Sequence, residues 1–270
     1  MSMKRSINQV LRRTTGYEIV RKGTGARRVV QAQRQLRSPV FVLSSIRSGS
    51  TLLRVMLGSH SEIFAPHEMH LGNIQANADS WFAEAAVQEA GLDEQELTHM
   101  MWDAMLARML RDSGKSVLVE KTPYHVFLYR KIAATWPDAR FVFLLRHPGS
   151  IHQSWQEAHP SMSADEVTAD VLRYVKGVEQ ARTDLPGLDV TYEELVSDPE
   201  GQTRRLCAFL GVAWEPEMVE YGKRGHTRFR RGLGDWSGKI RSGRPQEGRA
   251  LPSLDEVPAE LRPYCEKWGY

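Results

Sequence analysis

An α/β fold, a central parallel sheet flanked by helices, is what this sequence predicts, and three observations predict it. Short, apolar, partly β-branched runs recur at residues 40–43, 117–119 and within "ARFVFLLRHPGS", residues 139–150. A helix is expected after each run, and strands that alternate with helices lie in a parallel sheet covered on both faces. At 270 residues the chain is long enough to bury a sizeable core as one large domain.

In order, residues 40–43 read as a buried strand. Residues 51–58 carry Leu52, Leu53, Met56 and Leu57 on one helical face. Residues 79–112 read as helical and Met-rich, with Trp81, Phe82, Met101, Trp102, Met105 and Leu106 expected as a core stripe. A second short strand, 117–119, ends at "EKTPYH", and a helix is expected near 125–135. The clearest strand stops at Pro148, a residue that suits the first turn of the next helix. "SADE", residues 163–166, has capping-box spacing and opens another helix. "LDVTYEELVSDPEGQTRRLCAFLGV" reads as strand, helix or turn, then an amphipathic helix closed by Gly211. Residues 222–250, rich in Gly and Arg without periodicity, read as a long functional loop.

Composition removes several classes. The balance of 41% hydrophobic and 26% charged residues is that of a globular chain, and a net charge of +3 does not indicate a nucleic-acid binder. No apolar run nears the roughly 18 residues of a membrane span, and the first residues lack a signal-peptide core, so a cytoplasmic protein is expected. Cys207 and Cys265 are too few for a disulfide framework and lack metal-ligand spacing. Charge is uneven: residues 1–37 hold ten Lys and Arg against one acid, Glu18. This arm is expected to lie apart from a domain spanning 38–270, solvated or touching a membrane surface or an acidic partner.

The turn after the first strand, Ser44-Ser45-Ile46-Arg47-Ser48-Gly49-Ser50-Thr51, sets small hydroxyl residues and one arginine at a helix N-terminus. Unsatisfied amides and the positive end of the helix dipole make such a place an anion site. Gly49 allows close backbone approach and Arg47 adds a fixed charge. It is not a Walker A loop, because the leading glycine is missing and Arg stands near the lysine position. Arg146 ends the clearest strand, with Ser154 eight residues on. Ligands of α/β sheets gather beyond the carboxyl ends of strands, so both arginines can serve one ligand.

These motifs resemble the sulfotransferases that use 3′-phosphoadenosine 5′-phosphosulfate (PAPS). The resemblance covers roughly residues 39–245 and implies their P-loop NTPase-like fold. It assigns the 5′-phosphosulfate to Arg47, Ser48, Gly49, Ser50 and Thr51, continued by Leu52, and the 3′-phosphate to Arg146 and Ser154. "TYEELVSDPEG" resembles the family's Tyr-Glu-Asp/Glu-Leu segment and puts Tyr192 near the nucleotide. "RRGLGDWSGKIRSG" resembles the loop that closes over the 3′-phosphate, leaving Arg230, Arg231 and Gly232 to compete with Lys239 and Arg241 for that role. The Glu-Lys-Thr-Pro string, shared with carbohydrate sulfotransferases, makes Lys121 a second cation near the bridging oxygen. The nearest branch uses a Glu base, and its distance from the first motif lands on Glu68, placed ahead of His70. His125 is the nearest candidate in the pattern of the cytosolic branch, from which "TPYH" departs. His67, His147, His152 and His159 are expected as polar packing.

The resemblance thus implies in-line sulfuryl transfer from PAPS to the hydroxyl of a small-molecule, lipid, polyketide or carbohydrate acceptor, with no metal. Such chemistry asks the protein mainly for alignment and charge stabilisation. A nucleotide-dependent small-molecule kinase and a non-catalytic domain that binds a bisphosphate nucleotide are the competing readings.

Overall fold

The structure, a computed structural model, describes residues 33–224, 242–246 and 248–270. The basic arm before residue 33 and Arg230, Arg231, Gly232, Lys239 and Arg241 lie outside the described residues. Five strands, β1 (Val40–Ser44), β2 (Ile63–Phe64), β3 (Val117–Lys121), β4 (Arg140–Leu145) and β5 (Leu188–Thr191), form one sheet in the order β2-β3-β1-β4-β5. Every pairing is parallel. The chain leaves β1 for one edge and returns to β4 on its other side, so the strand order reverses between β1 and β4. Beyond their carboxyl ends lies the crevice where such sheets bind ligands.

Both faces of the sheet are buried, which is why β1 and β4 read as unbroken apolar runs rather than alternating ones. Alternation instead sorts side chains between two cores. Phe41, Leu43, Phe141, Phe143 and Leu145 pack with Trp102 and Leu106 of α3 (Glu94–Ser113) and Val171, Val175 and Val178 of α6 (Ala164–Asp184). Val40, Val42, Val142 and Leu144 pack on the other side with Leu53, Met56 and Leu57 of α1 (Ser50–Gly58) and Leu206 and Leu210 of α8 (Pro199–Leu210).

The remaining helices are α2 (Trp81–Glu89), α4 (Tyr129–Thr135), α5 (Pro148–Ala158), α7 (Tyr192–Ser197) and α9 (Arg262–Lys267). Their ends follow the local sequence. Pro148 opens α5, Ser163 and Glu166 form the capping box of α6, and Gly211 at φ 74° closes α8. Among the described residues, no helix is long and apolar enough to cross a membrane.

The structure departs from expectation in four places. The stretch expected as helical over 79–112 is two helices, interrupted where Gly91 takes φ 76°. Ala78–Asp93 belongs to a separate compact unit, in which Trp81 and Phe82 are exposed with ring centroids 4.9 Å apart instead of joining a core stripe. β3 runs two residues further than its apolar core, so Glu120 and Lys121 are strand residues. The start of the domain is anchored at Arg34, whose guanidinium grips Glu96 at 2.8 and 2.9 Å, while Asp103 accepts the N–H groups of Gln35 and Leu36.

Candidate active site

The turn after β1 is tight because two of its residues are left-handed, Arg47 at φ 56° and Gly49 at φ 84°. Ser48 Oγ donates to the Ser45 carbonyl at 2.6 Å and closes it. Gly49 then caps α1 with no side-chain hydrogen bond and no acidic residue in the first turn. No side chain of the cap residue therefore covers this helix start, where amide donors meet a positive dipole end. Ser44 and Ser45 are buried, and their hydroxyls have no hydrogen-bond partner among the described residues.

Arg146 reaches the same turn from the tip of β4. Its Nη1 donates to the Arg47 carbonyl at 2.6 Å, and its guanidinium lies 4.5 Å from the ring centroid of Tyr192, the first residue of α7. Tyr192 in turn lies against Gly49, where any Cβ would meet its ring. Ser154 completes the arrangement from α5, accepting from Arg47 Nε at 3.1 Å. Burial pulls the pKa of Arg47 down, and the neighbouring Arg146 charge pulls it further, while Glu157 opposes. Burial also lowers Arg146, against Tyr192 and Glu193. Two desolvated like charges held side by side are relieved by an anion.

These groups share one cleft of about 430 Å³, lined by Arg47, Gly49, Ser50, Thr51, Leu52, Arg146, Ser154, Tyr192 and Glu68. Ser48 is buried within the turn instead of lining the cleft. Lys121 is buried and pairs with the Glu68 carboxylate, whose other oxygen lies 3.5 Å from Nε2 of the half-exposed His70. Burial lowers the Lys121 pKa, with Glu68 opposing. Thus Glu68 lines the same cleft as the arginine–serine pair, and Lys121 and His70 meet its carboxylate without lining that cleft themselves.

Several cleft residues were not named from the sequence. Trp155 walls the cleft with its ring centroid 3.9 Å from that of His159, which lines the cleft too although it was expected as polar packing. Tyr221, Arg244 and Arg249 also line it, and Arg249 Nη1 is 2.5 Å from Glu157. Of the histidines expected as packing, His147 caps α5 by accepting from the Ser150 N–H, and His152 lies 3.0 Å from the Thr168 hydroxyl. His125 is buried against Glu120, away from the cleft lining.

The Sulfotransferase family pattern matches residues 39–216. Nodulation protein NoeE of Sinorhizobium fredii is 26% identical over 226 residues, 71% of this chain and 54% of NoeE. Protein-tyrosine sulfotransferase 1 of Danio rerio is 26% identical over 200 residues, 67% of this chain and 55% of that protein. The chain therefore spans little more than half the length of these relatives. Among solved structures, the sulfotransferase domain from the curacin biosynthetic pathway superposes with a TM-score of 0.64 at 22% identity, covering 87% of this chain and 98% of that domain, a likeness of fold. With the family pattern matching most of its length, the chain belongs to the sulfotransferase family.

Proposed function

We propose that the chain transfers a sulfuryl group from PAPS to the hydroxyl of a small-molecule, lipid, polyketide or carbohydrate acceptor. The observation that carries this reading is the junction of two strand tips, Arg47 on Ser154 at 3.1 Å and Arg146 on the Arg47 carbonyl at 2.6 Å, inside one cleft. A doubly phosphorylated nucleotide suits it: a helix N-terminus without a side-chain cap for one phosphate, a half-buried arginine and a serine for the other. The donor brings an SO₃ group already activated on a phosphate oxygen.

The chain's residues then have the following roles. Amides of Gly49, Ser50, Thr51 and Leu52 and the hydroxyls of Ser50 and Thr51 hold the 5′ end, with Arg47 as their fixed charge and Ser48 closing the turn through its bond to the Ser45 carbonyl. Arg146 and Ser154 hold the 3′-phosphate, and Tyr192 backs both the turn and Arg146. Arg230, Arg231, Gly232, Lys239 and Arg241 remain the candidates for closing over the 3′-phosphate. Arg47 and Lys121 stabilise the negative charge that grows on the leaving phosphate oxygen, as an oxyanion hole does. Glu68 takes the acceptor's hydroxyl proton as its oxygen bonds to sulfur, and His70 orients that hydroxyl beside it.

Incubation with sulfur-labelled PAPS and a panel of acceptors, a phenol, a long-chain alcohol, a 3-hydroxyacyl thioester and glucosamine, tests the proposal. Label transferred to an acceptor hydroxyl and identified by mass spectrometry supports it. Phosphate transfer from ATP with Mg²⁺ would favour a kinase. Tight 3′,5′-bisphosphoadenosine binding with no transfer to any acceptor would favour a binding domain.

A further inference from the structure

Neighbouring residues at the end of β3 leave the sheet on opposite faces. Lys121 lies on the face of Val42 and grips the Glu68 carboxylate. Glu120 lies on the face of Phe41 and is wholly buried. One of its oxygens is hydrogen-bonded and the other faces a buried histidine. Oε1 accepts the Met69 N–H at 3.0 Å and the Thr122 hydroxyl at 2.7 Å, and Oε2 faces Nδ1 of the equally buried His125 at 2.7 Å. Thr122 Oγ1 also accepts the His70 N–H at 3.4 Å. Burial pushes the Glu120 pKa up, but the His125 charge and these hydrogen bonds outweigh it and hold the group below the usual carboxylate range.

A buried carboxylate carries a desolvation penalty of several kcal/mol, yet Glu120 does not line the cleft and has no part in the proposed reaction. Its hydrogen bonds show where its effect lies. They fasten the two peptide N–H groups that follow Glu68, on a loop where His70 sits at φ 46°. A non-glycine residue in that region persists only where its surroundings impose it. Lys121 thus holds the Glu68 side chain from one face of the sheet, while Glu120 and Thr122 hold its backbone from the other.

We propose that Glu120, through its bond to the Met69 N–H and with Thr122 and His125 as supports, is the positioning residue that keeps Glu68 aligned for proton transfer. The proposal rests on Glu68 being the proton acceptor. A displacement of about 1 Å at a reacting group can cost about 10²-fold in rate. Glu120→Ala is therefore expected to lower kcat by about 10- to 100-fold, measured with the best acceptor of the panel. The affinity for 3′,5′-bisphosphoadenosine should stay within about twofold, because the Arg47 turn, Arg146 and Ser154 belong to other elements and Lys121 is left in place on the opposite face of the sheet.

A double-mutant cycle separates positioning from general damage. In a Glu68→Gln background, Glu120→Ala should cost nothing further in kcat. Equal losses in both backgrounds, a kcat within twofold of wild type, or nucleotide affinity falling in step with kcat overturns the proposal. If Glu120→Ala does not fold, Thr122→Val replaces it. That change removes one hydroxyl at nearly constant volume, and the expected loss is about 3- to 10-fold with the same non-additivity. Undiminished turnover in Glu68→Gln removes the base assignment and the proposal together; an impaired Glu68→Gln beside an unimpaired Glu120→Ala removes the proposal alone.

Discussion

Replacing Gly49 by alanine should damage the site through two separable costs. A Cβ at this position would lie 2.7 Å from Tyr192 Cε2 and 3.3 Å from its Cγ, on a backbone at φ 84°. A left-handed conformation costs an L-residue about 1–2 kcal/mol. The ring, whose Cδ2 would be met closest of all, must also retreat by more than an ångström to reach ordinary carbon contact at about 3.5–4.0 Å. In retreating, it leaves the Arg146 guanidinium that lies 4.5 Å from its centroid, a cation–π contact worth about 0.5–2 kcal/mol. The sum is about 1.5–4 kcal/mol, shared between folding and nucleotide binding. If half falls on binding, the affinity weakens by about 3- to 30-fold, at 1.4 kcal/mol per factor of ten. Urea unfolding gives the first share and calorimetry with 3′,5′-bisphosphoadenosine the second. In a Tyr192→Ala background only the backbone strain remains, so the same substitution should cost about 1–2 kcal/mol. A summed cost under about 1 kcal/mol, or an identical cost in both backgrounds, refutes the reasoning.

Other expectations follow from the same geometry. Glu68→Gln should lower turnover by about 10²-fold or more, the scale of a lost general base, with nucleotide affinity near wild type; undiminished turnover would move the role to His70. Burial lowers the Lys121 pKa, so nucleotide affinity should fall with rising pH before the ordinary lysine value of about 10.4 and should stay flat in Lys121→Arg. In that window the unfolded chain binds the extra proton, so this group's contribution to stability rises with pH. Overlapping affinity profiles for the two proteins would contradict the placement of Lys121. Burial pushes the Cys207 thiol up to about 11 and raises Cys265 as well. Neither should take up iodoacetamide in the folded protein at pH 8, whereas both should in urea, and intact mass reads the difference.

The parallel sheet was legible because β1 and β4 are buried on both faces, and continuous apolar runs record that directly. The turn at Arg47 was legible for a local reason, since hydroxyl residues before a helical face mark a helix start, and Arg146 because it follows an unbroken apolar strand. Ser154 was reached only through the resemblance, which pairs an arginine with a serine eight residues on. β2 escaped notice because two residues carry no periodicity. The end of β3 was misread because Glu120 and Lys121 look like the polar start of a loop; only the partners Glu68, Thr122 and His125, brought by folding, explain charges inside a sheet. Arg244 and Arg249 lie in an aperiodic stretch, where nothing in the spacing says which arginine turns toward the cleft. Trp81 and Phe82 show the converse error, since a helical stripe of large apolar residues does not reveal whether anything covers it.

The claim that one nucleotide is held at both phosphates by the tips of β1 and β4 is tested most directly by calorimetry. Adenosine 5′-phosphate and 3′,5′-bisphosphoadenosine are titrated into wild type, Arg146→Ala and Ser154→Ala. A charge-assisted hydrogen bond contributes about 1.5–3 kcal/mol, so the 3′-phosphate should tighten wild-type binding by about tenfold or more. That preference should collapse in Arg146→Ala and shrink in Ser154→Ala. Equal affinity of the wild type for the two nucleotides would contradict the account.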